Sequence, residues 1–230
     1  MTNTQLKHLA LIPDGNRRWA KAHHLPILAG HRQVVDKVFP ALVEEVLNLG
    51  IPFFTIWGFS TENWGRASSE VAGIMALVKE FLADFSKKLQ EKNVRLNFIG
   101  RQDNLSEDLK QAINSALEMT QNGKKLVLTI AFNYGGRDEI IRAANRLTSE
   151  GKYPIDEATF AQALDTGSFP LPDPDLIVRT GGEKRLSGFM SWQTTYSELY
   201  FTDKYMPDWQ SEDLRLAVAE FRSRQRRFGK

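Results

Sequence analysis

Cysteine is absent from all 230 residues. That absence rules out disulfides, thiol nucleophiles and cysteine zinc sites, and it fits a reducing cytoplasm. Charge of one sign is also lacking, since 30 Lys and Arg face 28 Asp and Glu, a net charge of +2. So small an excess provides no basic field for nucleic acid, even with a sequence pI near 8.8. Long apolar runs are missing; the stretch 51–59 is far too short to span a bilayer. Residues 1–5 show neither a basic nor an apolar region, so no signal peptide is expected. There is no Gly-x-x-x-x-Gly-Lys-Ser/Thr loop and no Gly-x-Gly-x-x-Gly, so the usual nucleotide fingerprints are excluded. No two aspartates are adjacent.

What remains is the composition of an ordinary soluble domain, with 42% hydrophobic and 25% charged residues. The length suits a single domain over 1–230 with a sizeable core, and no repeat or linker divides it. Short apolar runs recur at 9–12, 53–57, 94–99, 126–132, 176–178 and 199–201. Near-continuous runs of this kind read as strands buried on both faces. Helical spacing lies between them. Val34, Val35, Val38, Leu42, Val46 and Leu49 keep that period until Gly50, Ile51 and Pro52 stop it. A second helix starts near Ser68, and its apolar surface over 71–89 is too wide for one sheet face alone. A third runs from Ser106, placed as an N-cap, to Met119; others follow Gly136, Asp156 and Ser211. The stretch 166–174, rich in Gly and Pro, reads as a surface loop. Strands alternating with helices predict an α/β fold, a six-stranded, mostly parallel sheet flanked by helices.

In an open α/β sheet, ligands bind at the carboxyl ends of strands, and two polar segments stand at such places. The first is Asp14-Gly15-Asn16-Arg17-Arg18-Trp19. Asp14 would serve as a helix N-cap, but capping does not account for Arg17, Arg18 and the nearby His31. Arginines at a helix N-terminus oppose the macrodipole unless an anion lies between them. The second segment runs from Arg179 to Ser187. Arg179 and Arg185 can grip phosphate oxygens, Gly181-Gly182 lets backbone approach closely, and Ser187 adds a hydroxyl. Together the two read as a site for two diphosphates and a divalent cation.

The run Phe59-Ser60-Thr61-Glu62-Asn63-Trp64-Gly65-Arg66 follows the second predicted strand. A ligand would satisfy its buried polar groups, and Phe59 and Trp64 could wall an apolar substrate. Glu198, opening the last apolar run, could join Asp14 in an oxygen shell for Mg²⁺. His23 and His24 read as exposed residues rather than metal ligands. Asn133-Tyr134-Gly135-Gly136-Arg137 is a tight turn, as open to a structural reading as to a functional one.

In order along the chain stand Asp-Gly-Asn-x-Arg-Trp-Ala, Gly30-His31, Phe-Ser-Thr-Glu-Asn-Trp, Asn-Tyr-Gly-Gly-Arg, Arg-Thr-Gly-Gly-Glu-Lys-Arg-Leu-Ser, Trp192-Gln193, Glu198-Leu199-Tyr200-Phe201 and Arg226-Arg227-Phe228-Gly229. With this series the chain resembles the cis-prenyltransferases, the family of undecaprenyl diphosphate synthase, from His8 to Gly229. The resemblance implies Mg²⁺-dependent condensation of isopentenyl diphosphate with an allylic diphosphate, creating a cis double bond. It implies that Asp14 handles Mg²⁺ and the allylic diphosphate, with Gly15, Asn16, Arg17, Arg18, Trp19, His31 and Arg66 lining that site. Arg179, Arg185, Leu186 and Ser187 match the isopentenyl diphosphate site, and Glu198 a second metal-linked carboxylate.

Ser60, Thr61, Glu62, Asn63 and Trp64 match the loop between the sites, where Asn63 is the family's proposed proton acceptor. The end segment Arg227-Phe228-Gly229 would complete the partner's site in a homodimer. A growing hydrocarbon implies an apolar tunnel beside the sheet, lined in part by the helix over 71–89, and a lipid product implies peripheral membrane contact. No insertion lengthens 71–93, which points to short or medium products. The chain departs from the family at Ile27, where an arginine is usual, and at Gly188, Ser191, Thr194 and Thr195. Those departures leave room for irregular coupling of two allylic diphosphates. A non-catalytic partner subunit is a third reading, disfavoured by the presence of Asp14.

Overall fold

The alternation of side chains along a strand sets the layers of this molecule. In β1 (His8–Ile12), Leu9 and Leu11 enter one hydrophobic cluster while Ala10 and Ile12 enter another on the opposite face. β5 (Leu176–Arg179) repeats the pattern, with Leu176 and Val178 on the first side and Ile177 on the second. Both faces of the sheet are therefore covered, which is why its strands read as unbroken apolar runs.

The computed structural model describes residues 5–169 and 171–224. The remaining strands are β2 (Phe53–Ser60), β3 (Val94–Ile99), β4 (Leu126–Tyr134) and β6 (Glu198–Phe201). They form one six-stranded sheet in the order β3-β4-β2-β1-β5-β6, and every pairing is parallel. The helices are α1 (Asn16–Ala22), α2 (Ile27–Gln33), α3 (Phe39–Asn48), α4 (Ser68–Glu91), α5 (Glu107–Thr120), α6 (Gly136–Ser149), α7 (Glu157–Ala163) and α8 (Ser211–Ser223). Leu42 of α3, Ile74 and Phe85 of α4, Ile113 of α5 and Val218 of α8 pack in one cluster with the first face. Phe189 and Met190 cover the other, where Phe189 stacks on Trp57 at 5.0 Å.

One expectation changes. The periodic stretch from Val34 is not one helix, because a π-helical turn, Val34–Val38, joins α2 to α3. Pro40 lies just beyond; it has no N–H to offer Asp36 and its ring crowds that carbonyl, so the ladder widens there. The wide apolar face of α4 packs on more than the sheet, as its width requires. Phe39 meets Phe81 at 5.3 Å, Phe85 at 6.3 Å and Phe54 at 6.3 Å, and these rings fill the space between α3, α4 and the sheet.

The chain steps from β1 to β2 on one side and later places β5 on the other. Loops leaving neighbouring strands thus diverge at the carboxyl end of β1, and a crevice opens there.

Candidate active site

A cleft of about 760 Å³ lies at the carboxyl ends of β1, β2 and β5. Asp14 stands at its centre, two residues beyond β1. Gly15, with φ of 102°, caps α1, a backbone conformation that side chains beyond glycine rarely adopt. Asp14 is therefore not the N-cap, and its carboxylate serves other partners. Oδ1 accepts the Gly15 N–H at 2.6 Å and lies 3.2 Å from Arg18, while Oδ2 accepts from Nη2 of Arg179 at 2.9 Å. Thr180 fixes the backbone: its hydroxyl accepts the Asp14 N–H at 2.9 Å and donates to the Asp14 carbonyl at 2.8 Å. Burial alone would raise the Asp14 carboxyl, but the bonds from Arg179 and Gly15 hold it below its ordinary value. Asp14 stays ionised at neutral pH.

One half of the cleft gathers Asn16, Arg17, His31 and Arg66. Gly30 makes this possible, since a Cβ there would collide with the Asn16 carbonyl, and only a bare backbone lets α2 lie against α1. His31 follows directly. Nδ2 of Asn16 donates to Nδ1 of His31 at 3.3 Å, which leaves the ring hydrogen on Nε2. That Nε2 and Oδ1 of Asn16 are buried and find no hydrogen-bond partner among the described residues. Burial, then the charges of Arg66 and Arg17, push the His31 pKa down to about 4, so the ring is neutral. Arg66 is likewise lowered, by burial first. A ligand with several anionic oxygens would suit the orphaned Nε2–H of His31 and the two guanidiniums.

The other half is built on Arg179, whose side chain is only 6% exposed. Its Nη1 donates to the Arg185 carbonyl and to Oγ of Ser187 at 2.9 Å. Ser187 adopts φ of 52°, so the loop is bent to deliver its hydroxyl. Arg185 is 62% exposed and reaches Glu183 at 2.6 Å. The N–H groups of Gly181 and Gly182 donate to the carbonyls of Lys204 and Thr202, so they hold the loop rather than face the cleft.

Asp14, Gly15, Asn16, Arg17, Arg18, His31, Ser60, Asn63, Arg66, Arg179, Arg185 and Ser187 come together at the cleft, with Ile27 at its wall, 42% exposed. Other expected residues stand elsewhere. Trp19 turns to Asp208, 2.7 Å away. Glu62 is exposed, and Thr61 packs against Gly135. Trp64 donates to Asn133 at 2.8 Å and borders a separate cavity between α4 and α5. Leu186 packs beneath the cleft with the second core cluster. Glu198 lies at the amino end of β6, level with Leu176 and away from Asp14, and pairs with Arg224 at 2.8 Å. Arg227, Phe228 and Gly229 lie outside the described residues.

Three contributors were not anticipated. Trp57 lines the cleft in the place expected for Trp64. Thr180 locks Asp14, and Glu70 contacts the Arg17, His31 and Arg66 group. For Glu70 a signal existed: it lies four residues beyond Arg66, near enough along the chain for the two to pair across the start of α4.

Among the described residues there is no group of three or more His, Cys, Asp or Glu able to hold a metal by itself. Mg²⁺, however, is commonly bound by one or two carboxylates together with substrate phosphates and water. Asp14, ionised and partly exposed between two sets of arginines, fits that mode.

A family model described as "Putative undecaprenyl diphosphate synthase" matches residues 12–229. The isoprenyl transferase of Rickettsia bellii is 43% identical over 227 residues, covering 99% of each chain. Lavandulyl diphosphate synthase from Lavandula x intermedia, solved in complex with dimethylallyl diphosphate, superposes with a TM-score of 0.94 at 36% identity, covering 98% of each chain. A probable undecaprenyl diphosphate synthase from Campylobacter jejuni gives a TM-score of 0.84 at 36% identity, covering 99% of this chain and all of that one.

Proposed function

The chain belongs to the undecaprenyl diphosphate synthase family of cis-prenyltransferases, and we propose that it joins isopentenyl diphosphate to an allylic diphosphate with the aid of Mg²⁺. The observation that carries this reading is the place of Asp14 between Arg18 and Arg179. One carboxylate there separates two anion-binding halves at neighbouring strand ends. The half with Asn16, Arg17, His31 and Arg66 takes the allylic diphosphate. The half with Arg179, Arg185 and Ser187 takes isopentenyl diphosphate.

In the reaction the allylic C–O bond breaks, its carbon bonds to C4 of the isopentenyl group, and C2 of that group loses a proton. Arginines and the neutral His31 stabilise charge gathering on the departing diphosphate. Asp14 would hold Mg²⁺, which supplies further positive charge to that leaving group. Two fixed diphosphates bring the reacting carbons together. Asn63 lines the cleft, with Oδ1 tied to the Ser60 N–H at 3.1 Å. An amide oxygen is a weak base, so Asn63 guides the proton toward the released diphosphate rather than keeping it.

The packed rings of Phe39, Phe54, Phe81 and Phe85 favour a short hydrocarbon within the range of short to medium products. The reading includes a cytoplasmic homodimer that touches membrane only through its lipid product; no described helix is long and apolar enough to cross one. A second reading, irregular coupling of two allylic diphosphates, is favoured by exposed Ile27 in the cleft wall and by the lavandulyl diphosphate synthase likeness. One experiment separates the two: incubation with labelled isopentenyl diphosphate and a panel of allylic primers, with products sized and double bonds assigned. Products from dimethylallyl diphosphate alone would select irregular coupling. Turnover with neither substrate set would reject both.

A further inference from the structure

Glu70 lies in the first turn of α4, where any carboxylate is favoured by the helix dipole. That alone would leave it in solvent, yet its side chain is only 5% exposed. Its Oε1 lies 3.2 Å from Nη1 of Arg66, 3.6 Å from Nε of Arg17 and 3.9 Å from Nε2 of His31. These partners come from the turn before α4, from α1 and from α2. All three line the cleft, and one oxygen gathers them.

We propose that Glu70 is a positioning residue, a buried carboxylate that holds Arg17 and Arg66, beside the neutral ring of His31, as one cradle for the diphosphate of the allylic substrate. This rests on the diphosphate reading given above. Two guanidiniums and one carboxylate leave one positive charge, so the cradle still attracts an anion. Without the carboxylate, two long cationic side chains would repel each other and swing apart. With it, their order is established before the substrate arrives, and binding loses less entropy. Glu70 touches neither substrate nor reacting atoms; it acts through the two guanidiniums.

The sign of a charge-removing substitution distinguishes positioning from a mere counter-charge. If Glu70 only offset positive charge, Glu70→Gln would tighten anion binding. Positioning requires the reverse. The test is calorimetric titration of the full chain with the thiolo analogue of dimethylallyl diphosphate in the presence of Mg²⁺. Glu70→Gln should weaken binding by about tenfold, the scale of a disturbed charge-assisted contact. Glu70→Asp, which keeps the charge but retracts it by one methylene, should also weaken binding and serves if the Gln variant fails to fold. Combining Glu70→Gln with Arg66→Ala should add less than the two effects summed.

Glu45→Gln is the control, since Glu45 is a buried carboxylate on α3 paired with Arg215 at 3.4 Å. It should leave the titration unchanged. Tighter or unaltered binding in Glu70→Gln, unaltered binding in Glu70→Asp, or equal weakening in Glu45→Gln would overturn the role of Glu70. A wild type that turns over but shows these outcomes leaves the diphosphate reading intact. A wild type that neither binds the analogue nor turns over overturns that reading, and the cradle with it.

Discussion

Oδ2 of Asp14 lies 2.9 Å from Nη2 of Arg179, and this pair joins the ends of β1 and β5 across 165 residues of chain. With its other terminal nitrogen Arg179 donates to Ser187, 2.9 Å away. A single guanidinium thus touches the carboxylate of one half-site and the hydroxyl of the other. Neither half can be altered at these residues without effect on its neighbour.

Asp14→Asn is expected to abolish turnover while the protein stays folded. The amide keeps an acceptor for the Gly15 N–H and the shape of the side chain, but it loses the charge that would hold Mg²⁺. Excess EDTA should have the same effect on the wild type. Steady-state assays, with circular dichroism as the check on folding, decide it; appreciable activity in the variant or in EDTA would remove Asp14 from the metal role.

Arg179→Ala should impair use of isopentenyl diphosphate more than Arg185→Ala does. Arg179 is buried and bonded to Asp14 and Ser187, whereas Arg185 is largely exposed and its pair with Glu183 is screened. Loss of a buried charge-assisted contact costs about 1.5–3 kcal/mol, or roughly ten- to a hundredfold in kcat/KM. Kinetics with each substrate varied in turn provide the measurement. If only affinity for the allylic primer fell, the two half-sites would be assigned in reverse.

Stability should decline between about pH 6.5 and 4 because of two buried neutral rings, His31 in the cleft and the more deeply buried His8. Its ring is fully buried, Nδ1 donating to the Pro172 carbonyl at 2.6 Å and Nε2 accepting from the Thr55 hydroxyl at 2.7 Å. Burial pushes its pKa down to about 4, from an ordinary 6.5. In that window the unfolded chain binds a proton that the folded chain refuses, so stability rises with pH and is complete above 6.5. The shift corresponds to about 3 kcal/mol. Urea unfolding at pH 7 and at pH 4.5 should show a steeper loss in the wild type than in His8→Gln. Equal losses would mean that His8 is not the proton acceptor.

The strands were readable because both sheet faces are buried: the expected run 94–99 is β3 residue for residue, and 126–132 falls short of β4 by two. The helix over 34–49 was misread at its start because apolar period does not report a π turn, and Pro40 is a local steric matter. At the cleft, polar residues at or just beyond strand ends were legible from position, as Asp14, Arg179 and Asn63 show. Orientation was not. Trp19 and Trp64 occupy the expected segments, but each indole N–H found an acceptor outside the cleft, in Asp208 and Asn133. Glu198 could be placed near Asp14 only by ignoring strand direction, which sets it at the far end of β6.

Ile27 brings an exposed apolar side chain to the wall of a cleft otherwise rich in arginine. It opens α2, the helix that also carries His31, so a longer cationic side chain there would start on the same wall as the first half-site. An isoleucine cannot bond a phosphate oxygen, so in the proposed reaction the allylic diphosphate would rest on Arg17, Arg18, Arg66 and the metal. Ile27→Arg is therefore expected to tighten binding of a non-hydrolysable allylic primer analogue, by up to roughly tenfold for one partly exposed charge-assisted contact. Titration of wild type and variant with the same analogue measures it. Unchanged or weaker binding would show that this wall receives hydrocarbon instead of phosphate, and would move irregular coupling ahead of condensation with isopentenyl diphosphate.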